Sequence, residues 1–303
     1  MGIDSGSWWR KRAGLEGRVA IVSGGAGGLG EAITRDLMAN GVRVALIDVD
    51  EKAVDAISRA LKESESDLES DLESESDFIA KVGDARDAQQ MEDLFGEAEK
   101  RWGRIDILVN VVGGTFKAPF SEQSPRAWDA LIRANFVHVL QSTQLAMAAM
   151  RRGGRGGSIV NITTIEAHRA APNFAVYSAA KAAVAHFSRS LALEVARDGI
   201  RVNCVAPDIT PTPNMMAISG GDSPSNHLTD ELTIGIGIPM GRVGVPSDIA
   251  GSVVFLASDL SSYMTGITLH PDGGTFASSG WFNWPGDGYS NMPPPSVVSS
   301  LRS

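Results

Sequence analysis

Short apolar runs that alternate with longer segments of helical period are the feature that most limits how this chain can fold. From Arg18 onward, runs rich in valine and isoleucine are each followed by a segment whose apolar residues recur three and four positions apart. This alternation is typical of βα units, in which crossover helices join parallel strands. The predicted strands cover residues 19–23, 42–48, 78–83, 105–110, 158–163, 201–205 and 267–269.

The segments between these runs are predicted to be helices. The helical patterns that are clearest cover residues 29–40, 88–102, 128–150, 176–197 and 247–257. The fold class is therefore α/β, with a single doubly wound parallel sheet of about seven strands and helices on both faces. We assign all 303 residues to one domain. Four segments stand apart from the alternation: an N-terminal arm (1–15), an acidic low-complexity loop (62–77), a lid rich in proline and glycine (208–240) and an aromatic C-terminal tail (277–303).

The formal net charge of −9 at pH 7 comes almost wholly from one segment. Residues 63–77, with the sequence ESESDLESDLESESD, include eight acidic residues and no basic residue, and such repetition is typical of a solvated loop. A surface that binds a basic partner is the alternative interpretation of this segment. The remainder of the chain is close to neutral and has no basic stripe, so the sequence favours neither nucleic acid nor a membrane as a partner.

Cysteine and histidine usage argues against a disulfide framework and against a metal site. Cys204 is the single cysteine, which excludes an internal disulfide and agrees with a reducing compartment. The five histidines lack the spacing of metal ligands, so no metal is predicted. No segment has the composition of an export signal or the length of a membrane span, and we therefore expect a cytoplasmic protein.

A glycine-rich turn after the first predicted strand has the composition of a dinucleotide-binding site. Gly24, Gly28 and Gly30 lie between that strand and a predicted helix, where glycine lets the backbone approach a pyrophosphate closely. Asp48 ends the second strand, where a carboxylate accepts both adenosine ribose hydroxyls and repels a 2′-phosphate. The sequence therefore favours NAD over NADP. Helix capping is the alternative role of Asp48, and Asp84 offers a second acceptor near the adenine.

Tyr177 and Lys181 are the candidate catalytic pair. They lie four residues apart in a helical pattern, so both side chains project from one face of the helix. An ammonium beside a phenol favours the phenolate, so we expect Lys181 to lower the pKa of Tyr177 and to make it a general base. Thr164 places a hydroxyl at the end of the fifth predicted strand, on the edge of the sheet where substrates bind.

At this point the chain resembles the classical short-chain dehydrogenase/reductase family, over roughly residues 16–275. The glycine-rich turn resembles the cofactor turn of that family, and Asn110-x-x-Gly113 resembles its fourth-strand motif. Thr164, Tyr177 and Lys181 fall on its serine, tyrosine and lysine positions. The other matching motifs are Asn135 at the active-site asparagine, 207–212 at the nicotinamide-side loop and Asp272-Gly273-Gly274 after the last strand.

This resemblance implies a Rossmann-type fold and reversible hydride transfer between a secondary alcohol or its ketone and nicotinamide C4. Tyr177 would exchange the hydroxyl proton, Lys181 would bond the nicotinamide ribose, Thr164 would bond the substrate oxygen, and Asn135 would hold a water that links Lys181 to solvent. The implied NAD contacts are Gly24, Gly28, Leu29, Gly30, Asp48, Asp84, Ala85, Val111, Val112, Gly113, Tyr177, Lys181, Pro207, Ile209 and Thr212.

The sequence departs from the family pattern in three places, which involve four residues. Thr164 replaces the usual serine and adds a methyl group near the substrate carbonyl. Val111 and Val112 stand where a second asparagine and an alanine are usual, in a segment that contacts the cofactor largely through its backbone. Asp208 stands where a glycine usually follows Pro207, so the local turn must either avoid a positive φ or tolerate one.

The residues beyond the catalytic group indicate the substrate class. Glu166 and His168 follow Thr164 closely and are candidate substrate contacts. Met215 in the lid and Trp281 in the aromatic tail are further candidates, because they would line a roomy apolar pocket for a bulky cyclic, aromatic or steroid-like secondary alcohol. Simple docking of the tail on the core is the alternative.

The sequence is also compatible with two other functions. A 3-hydroxyacyl thioester dehydrogenase, acting in reverse as a 3-oxoacyl reductase, would use the same residues. A non-catalytic NAD(H)-responsive binding protein could use the acidic loop as its partner surface. By resemblance, we expect a homotetramer or homodimer that assembles through the helices around residues 135–150 and 177–197.

Overall fold

The computed structural model describes residues 5–66, 76–212 and 230–300 of the chain. Its centre is a seven-stranded parallel sheet in the order β3-β2-β1-β4-β5-β6-β7. The strands are β1 (Val19–Ser23), β2 (Arg43–Asp48), β3 (Phe78–Val82), β4 (Ile107–Asn110), β5 (Gly157–Ile162), β6 (Ile200–Val205) and β7 (Thr268–Leu269). The predicted fold class is confirmed, and each predicted strand is found within two residues of its expected bounds.

The helices cover both faces of the sheet. Helices α2 (Gly28–Ala39), α3 (Glu51–Ser66) and α9 (Pro246–Ala257) pack on one face, and α4 (Ala88–Trp102), α6 (His138–Gly153) and α7 (Ala175–Val195) pack on the other. Each strand sends alternate side chains to opposite sides of the sheet. Because the strands are nearly continuous apolar runs, both faces of the sheet are apolar. In β1, Ala20 and Val22 join the first core, while Val19 and Ile21 join the second.

The remaining helices are shorter or lie outside this sandwich. They are α1 (Ser5–Ala13), α5 (Pro125–Ile132), α8 (Glu231–Gly237), α10 (Thr275–Ser278) and α11 (Pro295–Ser300). A hairpin of β8 (Phe282–Trp284) and β9 (Gly288–Ser290) forms a second, two-stranded sheet. Within the described parts of the chain, no helix combines the length and apolar character needed to cross a membrane.

Two predicted boundaries are wrong. The helix predicted over residues 128–150 begins earlier, at Pro125, because the Ser124 side chain accepts a hydrogen bond from the Ala127 amide. A π-helical segment, Arg133–Val137, then separates α5 from α6. The predicted acidic loop also starts later than expected, since α3 continues through Ser66. Residues 67–75 of that loop and 213–229 of the predicted lid lie outside the described residues.

The strand order determines where a ligand site forms. The chain winds outward from β1 to β3 on one side, and from β4 to β7 on the other, so the order reverses between β1 and β4. At such a point the connections after neighbouring strands diverge and leave a crevice beyond their carboxyl ends. The glycine-rich turn follows β1, and most of the other sequence-predicted site residues lie in segments that follow β2, β3, β4, β5 and β6 at this same edge.

Candidate active site

A cavity of about 560 Å³ lies along the carboxyl edge of the sheet. Volumes of this size are typical of sites for small molecules and cofactors. Of the sequence-predicted site residues, the cavity is lined by Gly24, Gly28, Leu29, Asp48, Val111, Val112, Gly113, Thr164, Tyr177, Lys181, Pro207 and Thr212. The structure therefore brings the predicted cofactor turn and three of the four predicted catalytic residues to one surface.

The glycine-rich turn passes from β1 into the first turn of α2. Gly24 and Gly28 have φ values of 69° and 54°, a conformation that residues with a side chain rarely adopt. Gly30 is required for a different reason, because a Cβ at this position would overlap the carbonyl group of Gly24. The turn thus directs the amino end of α2 and its free amides toward the cavity, which is the arrangement that binds a pyrophosphate.

Asp48 is held at the end of β2 by two backbone amides. Its carboxylate accepts hydrogen bonds from the amide of Ala26 at 3.2 Å and from the amide of Asp50 at 3.1 Å. The carboxylate is thereby fixed beside the glycine-rich turn and lines the cavity. Among the described residues of the lining, Lys181 is the one cationic side chain. The described lining therefore has no basic side chain near Asp48 that would offset its negative charge.

Sequence reasoning missed part of the cavity wall next to Asp48. Val49, Ala53 and Ile57 line this end, and the last two come from α3. The signal was present, because Ala53 and Ile57 are apolar residues four apart in the helix that directly follows Asp48. They give the cavity an apolar slot next to a carboxylate, which suits a flat aromatic base attached to a ribose.

Asn135 lies in the π-helical segment and is fully buried. Its side-chain amide donates hydrogen bonds to the carbonyl groups of Gly114 at 2.8 Å and Leu131 at 2.9 Å, and its oxygen accepts from the Gly114 amide at 3.1 Å. These contacts hold the loop after β4 against the helix. Asn135 therefore positions Gly113 and Gly114, which line the cavity, and it does not line the cavity itself.

Tyr177 and Lys181 project from the first turns of α7 into the cavity, next to Thr164 at the end of β5. The Thr164 hydroxyl lies close enough to the phenol of Tyr177 to oppose the rise of its pKa. Lys181 is 3% exposed, and its ammonium group donates a hydrogen bond of 2.9 Å to the carbonyl of Ile162. A Cβ on Gly113 would lie 2.9 Å from both the Lys181 nitrogen and the Asn135 oxygen, so these three residues meet at one point.

The predicted direction of the Tyr177 pKa shift is wrong. Burial raises the pKa of Tyr177 to about 12, and the nearby Glu166 carboxylate adds to the effect, whereas the Thr164 hydroxyl lowers it. Burial also lowers the pKa of Lys181 to about 8. The sequence showed that the two side chains share a helix face, but it did not show that both polar groups are enclosed by protein. Loss of hydration is the largest influence on the Tyr177 pKa, and Lys181 is not among its causes.

Four predicted cofactor contacts do not line the cavity. Gly30 packs behind the turn, and Ala85 is buried in the core on the far side of the sheet. Asp84 forms an ion pair with Arg86 at 2.7 Å, which holds the pKa of the Asp84 carboxyl below its usual value. The carbonyl of Ile209 accepts a hydrogen bond from the Gly244 amide.

The predicted substrate contacts are also placed outside the cavity lining. Glu166 forms an ion pair with Arg169 at 2.8 Å. The ring of His168 packs edge-on against His270, with ring centres 4.9 Å apart. Trp281 is 50% exposed and does not line the cavity. Met215 lies outside the described residues, so its predicted role stays a prediction.

Asp208 shows how the loop after β6 accommodates the unusual side chain. Its φ is not positive, so the loop avoids the left-handed conformation for which glycine is usual. The side chain is largely buried and lies 3.7 Å from the Arg169 guanidinium. Burial raises the pKa of the Asp208 carboxyl, while Arg169 opposes that shift. The carboxyl group therefore connects the β6 loop to the loop that follows Thr164.

Similar proteins were found both in sequence and in structure. A family model described as enoyl-(acyl carrier protein) reductase matches residues 24–275. A 3alpha-hydroxysteroid dehydrogenase from Mediterraneibacter gnavus is 34% identical over 259 residues, which covers 86% of this chain and 97% of that protein. A 3-oxoacyl-(acyl-carrier-protein) reductase, FabG, from Haemophilus influenzae is 35% identical over 266 residues, which covers 87% of this chain and all of that protein.

The solved structures of similar proteins agree with the sequence matches. The crystal structure of gox2181 superposes with a TM-score of 0.78 at 30% identity, covering 89% of this chain and 99% of that one. The crystal structure of levodione reductase superposes with a TM-score of 0.77 at 30% identity, covering 87% of this chain and 99% of that one. Coverage of this extent includes the central sheet and the helices that flank it.

Proposed function

Because the chain belongs to the classical short-chain dehydrogenase/reductase family of nicotinamide-dependent oxidoreductases, we propose that it interconverts a secondary alcohol and its ketone with NAD as cofactor. This proposal rests on one observation: Thr164, Tyr177 and Lys181 line the same cavity as the glycine-rich turn. A proton-transfer group and a cofactor turn are the two parts that such a reaction needs.

The residues of the cavity fit a nicotinamide cofactor. When bound, this cofactor would accept a hydride from the alcohol or supply one to the ketone. The glycine-rich turn would hold the pyrophosphate, and Asp48 would accept the ribose hydroxyls. Lys181 would donate a hydrogen bond to the nicotinamide ribose, and the backbone of Val111 to Gly113 would contact the cofactor.

The chain's own part in the reaction is proton transfer at one oxygen. In the reductive direction, the phenol of Tyr177 donates its proton to the ketone oxygen, and in oxidation the phenolate accepts the hydroxyl proton. The Thr164 hydroxyl would donate a hydrogen bond to the substrate oxygen and so orient it. With a pKa of about 12, Tyr177 is protonated at neutral pH, which is the form that reduction requires. Oxidation should therefore become faster as the pH rises.

The preference for NAD rests on Asp48. Its carboxylate is fixed by two amides, and the described lining offers no arginine or lysine at that end of the cavity to bind a 2′-phosphate. A carboxylate placed in this way accepts the 2′-hydroxyl of NAD and repels the phosphate of NADP. We expect the variant Asp48→Ser to lose NAD preference and to gain activity with NADP.

A bulky cyclic, aromatic or steroid-like alcohol is the proposed substrate class. The similarity to a 3alpha-hydroxysteroid dehydrogenase and to levodione reductase supports a cyclic substrate. A 3-hydroxyacyl thioester is the second candidate, because the family model and FabG are described as reductases of acyl groups on a carrier protein. A cytoplasmic location and a homotetramer or homodimer complete the proposal.

An absorbance assay at 340 nm tests the proposal. The purified protein would be mixed with NAD or NADP and a panel of cyclic, aromatic and steroid alcohols and 3-hydroxyacyl thioesters. We expect NADH to form with a cyclic alcohol, and Tyr177→Phe to abolish turnover while NADH still binds by fluorescence. Tyr289→Phe is the matched control, since Tyr289 is exposed in the hairpin. A fully active Tyr177→Phe variant would refute the mechanism.

A further inference from the structure

A second cavity, of about 650 Å³, lies at the opposite edge of the sheet from the candidate active site. It is formed at the amino ends of the strands, by the segments that lead into β1, β4, β5, β6 and β7. We call it the arginine cavity. Its charged lining residues are Arg18, Arg104, Arg155, Arg201, Asp106 and Asp259.

Two of the four arginines are balanced by the two acids. Arg18 forms an ion pair with Asp259 at 2.6 Å, and Arg104 forms one with Asp106 at 2.7 Å. Neither Arg155 nor Arg201 has an ion pair to a described residue. The described lining of the arginine cavity therefore carries two positive charges in excess.

Among the described residues, the hydrogen bonds of the Arg201 side chain go only to neutral groups. Its guanidinium donates to the carbonyls of Leu256 at 2.7 Å and Ser258 at 3.1 Å, and to the hydroxyl of Ser261 at 2.9 Å. These contacts satisfy the last carbonyls of α9, which gives Arg201 a structural role. Asp259 also attracts the Arg201 charge, but this carboxylate forms its ion pair with Arg18. Arg201 is partly desolvated, and a charge in such a position acts more strongly on a ligand than it does in water.

Arg155 has no comparable structural role. It is exposed, and it lies between Gly154 and Gly156 in the turn that leads into β5. Gly156 has a φ of 74°, and a Cβ there would overlap the Gly199 carbonyl, so two glycines meet closely in the wall beneath Arg155. Arg155 lines the cavity, and its guanidinium lies beside Gly153 at the end of α6. Its planar set of donors matches phosphate and carboxylate oxygens.

We propose that the arginine cavity binds a small ligand that carries at least two negative charges in a phosphate or diphosphate group. The excess charge matches the charge of such a group, and the volume lies within the range of known ligand sites. The exposed hydroxyl side chains of Ser262 and Tyr263 line the same cavity and add polar contacts. Because β5 and β6 separate this cavity from Tyr177, the proposal does not depend on the proposed oxidoreductase activity.

Calorimetric titration of the full chain with inorganic pyrophosphate tests this proposal. We expect saturable binding that weakens with added salt, and a loss of about tenfold or more in affinity in Arg155→Glu. The matched control is Arg126→Glu, which reverses an exposed charge on α5 at the other edge of the sheet and should leave the affinity unchanged. Ser262→Glu, a second exposed position of the cavity, should weaken binding as well.

Two results would overturn the proposal. Absence of pyrophosphate binding is one. Binding that is equally tight in wild type and in Arg155→Glu is the other, since pyrophosphate held at the glycine-rich turn does not require Arg155. A parallel titration with citrate distinguishes the chemistry of the anion: citrate binding that depends on Arg155, without pyrophosphate binding, would refute the assignment to phosphate.

Discussion

At the scale of single residues, Gly30 illustrates a glycine that is required for space and not for its backbone angles. An added Cβ would overlap the Gly24 carbonyl, whereas a Cβ on Gly27 would meet no atom within 4 Å. We therefore expect Gly30→Ala to lower the free energy of unfolding by up to about 3 kcal/mol. Gly27→Ala should cost less than about 1 kcal/mol. Urea denaturation of both variants checks this, and equal losses would contradict the steric argument.

Lys181 makes a second prediction at this scale, on stability as a function of pH. Burial lowers its pKa from the ordinary value of 10.5 to about 8 in the folded protein, so the folded state disfavours the charged form. Between pH 10 and pH 8 the unfolded chain binds a proton before the folded protein does, and the folded protein loses stability as the pH falls.

The variant Lys181→Met, which keeps a long unbranched side chain without the charge, isolates this effect. Raising the pH from 8 to 10 should increase the stability of wild type relative to Lys181→Met by about 2 to 3 kcal/mol. Denaturation curves at several pH values measure the difference, and well below pH 8 the difference should be constant. A difference that does not change across this pH range would show that burial does not shift the pKa of Lys181.

The sequence predicts those features of the site that follow from spacing along a helix or strand, but not those that depend on contacts between loops. The convergence of Tyr177 and Lys181 follows from helical spacing alone, and the position of Asp48 follows from the end of a strand. The pKa of Tyr177 could not be predicted, since it depends on how completely neighbouring loops enclose the phenol. Ile209 and Asp84 were misplaced for a similar reason, because hydrogen bonds to Gly244 and Arg86 orient them away from the cavity.

At the scale of helices and strands, the apolar spacing over 128–150 is continuous and predicts one helix. The π-helical segment is invisible to such a pattern, because it inserts an extra residue without changing the polarity of the exposed faces. What marks it is the buried Asn135, whose side chain bonds to the carbonyl of Leu131 four residues earlier. This contact could not be recognised from the sequence, because His138, Ser142 and Thr143 are buried polar residues of the same helical stretch as well.

The hairpin of β8 and β9 supports a prediction about substrate choice. It lies beyond residue 275, where the family match ends, and β8 packs against α8, the described part of the predicted lid. Ending the chain at Ala277 should leave the central sheet folded, because β1 to β7 precede this point. We expect it to change the ratio of kcat/KM between bulky and small alcohols, since α8 loses its support.

Two tryptophans of the same segment refine this test. Trp284 is partly buried in β8, whereas Trp281 is 50% exposed. Trp284→Ala should reproduce part of the change in substrate preference, and Trp281→Ala should leave it within about twofold. Unchanged preference after truncation at Ala277 would show that the tail only docks on the core.

At the scale of the whole molecule, the described ends that flank residues 67–75 lie at the edge of the sheet opposite the candidate active site. Residues 67–75 fall between the end of α3 and the start of β3, while the cavity lies beyond the carboxyl ends of the strands. A strand of five residues spans roughly 16 Å, which is about twice the distance over which exposed charges act at physiological ionic strength. Because the segment is attached at this distance from the cavity, we expect its negative charge to have little influence on proton transfer at Tyr177.

Replacing residues 67–75 with a glycine and serine linker of equal length tests this separation. For a dehydrogenase, kcat/KM at about 0.15 M salt should stay within about twofold of wild type, because the described lining of the cavity and its supporting contacts come from other segments. A non-catalytic binding protein that uses the acidic segment as its partner surface would instead lose partner capture while NADH binding persists. Steady-state assays and NADH fluorescence titration on the same preparation distinguish the two. A large fall in turnover would contradict the electrostatic independence argued from the strand lengths.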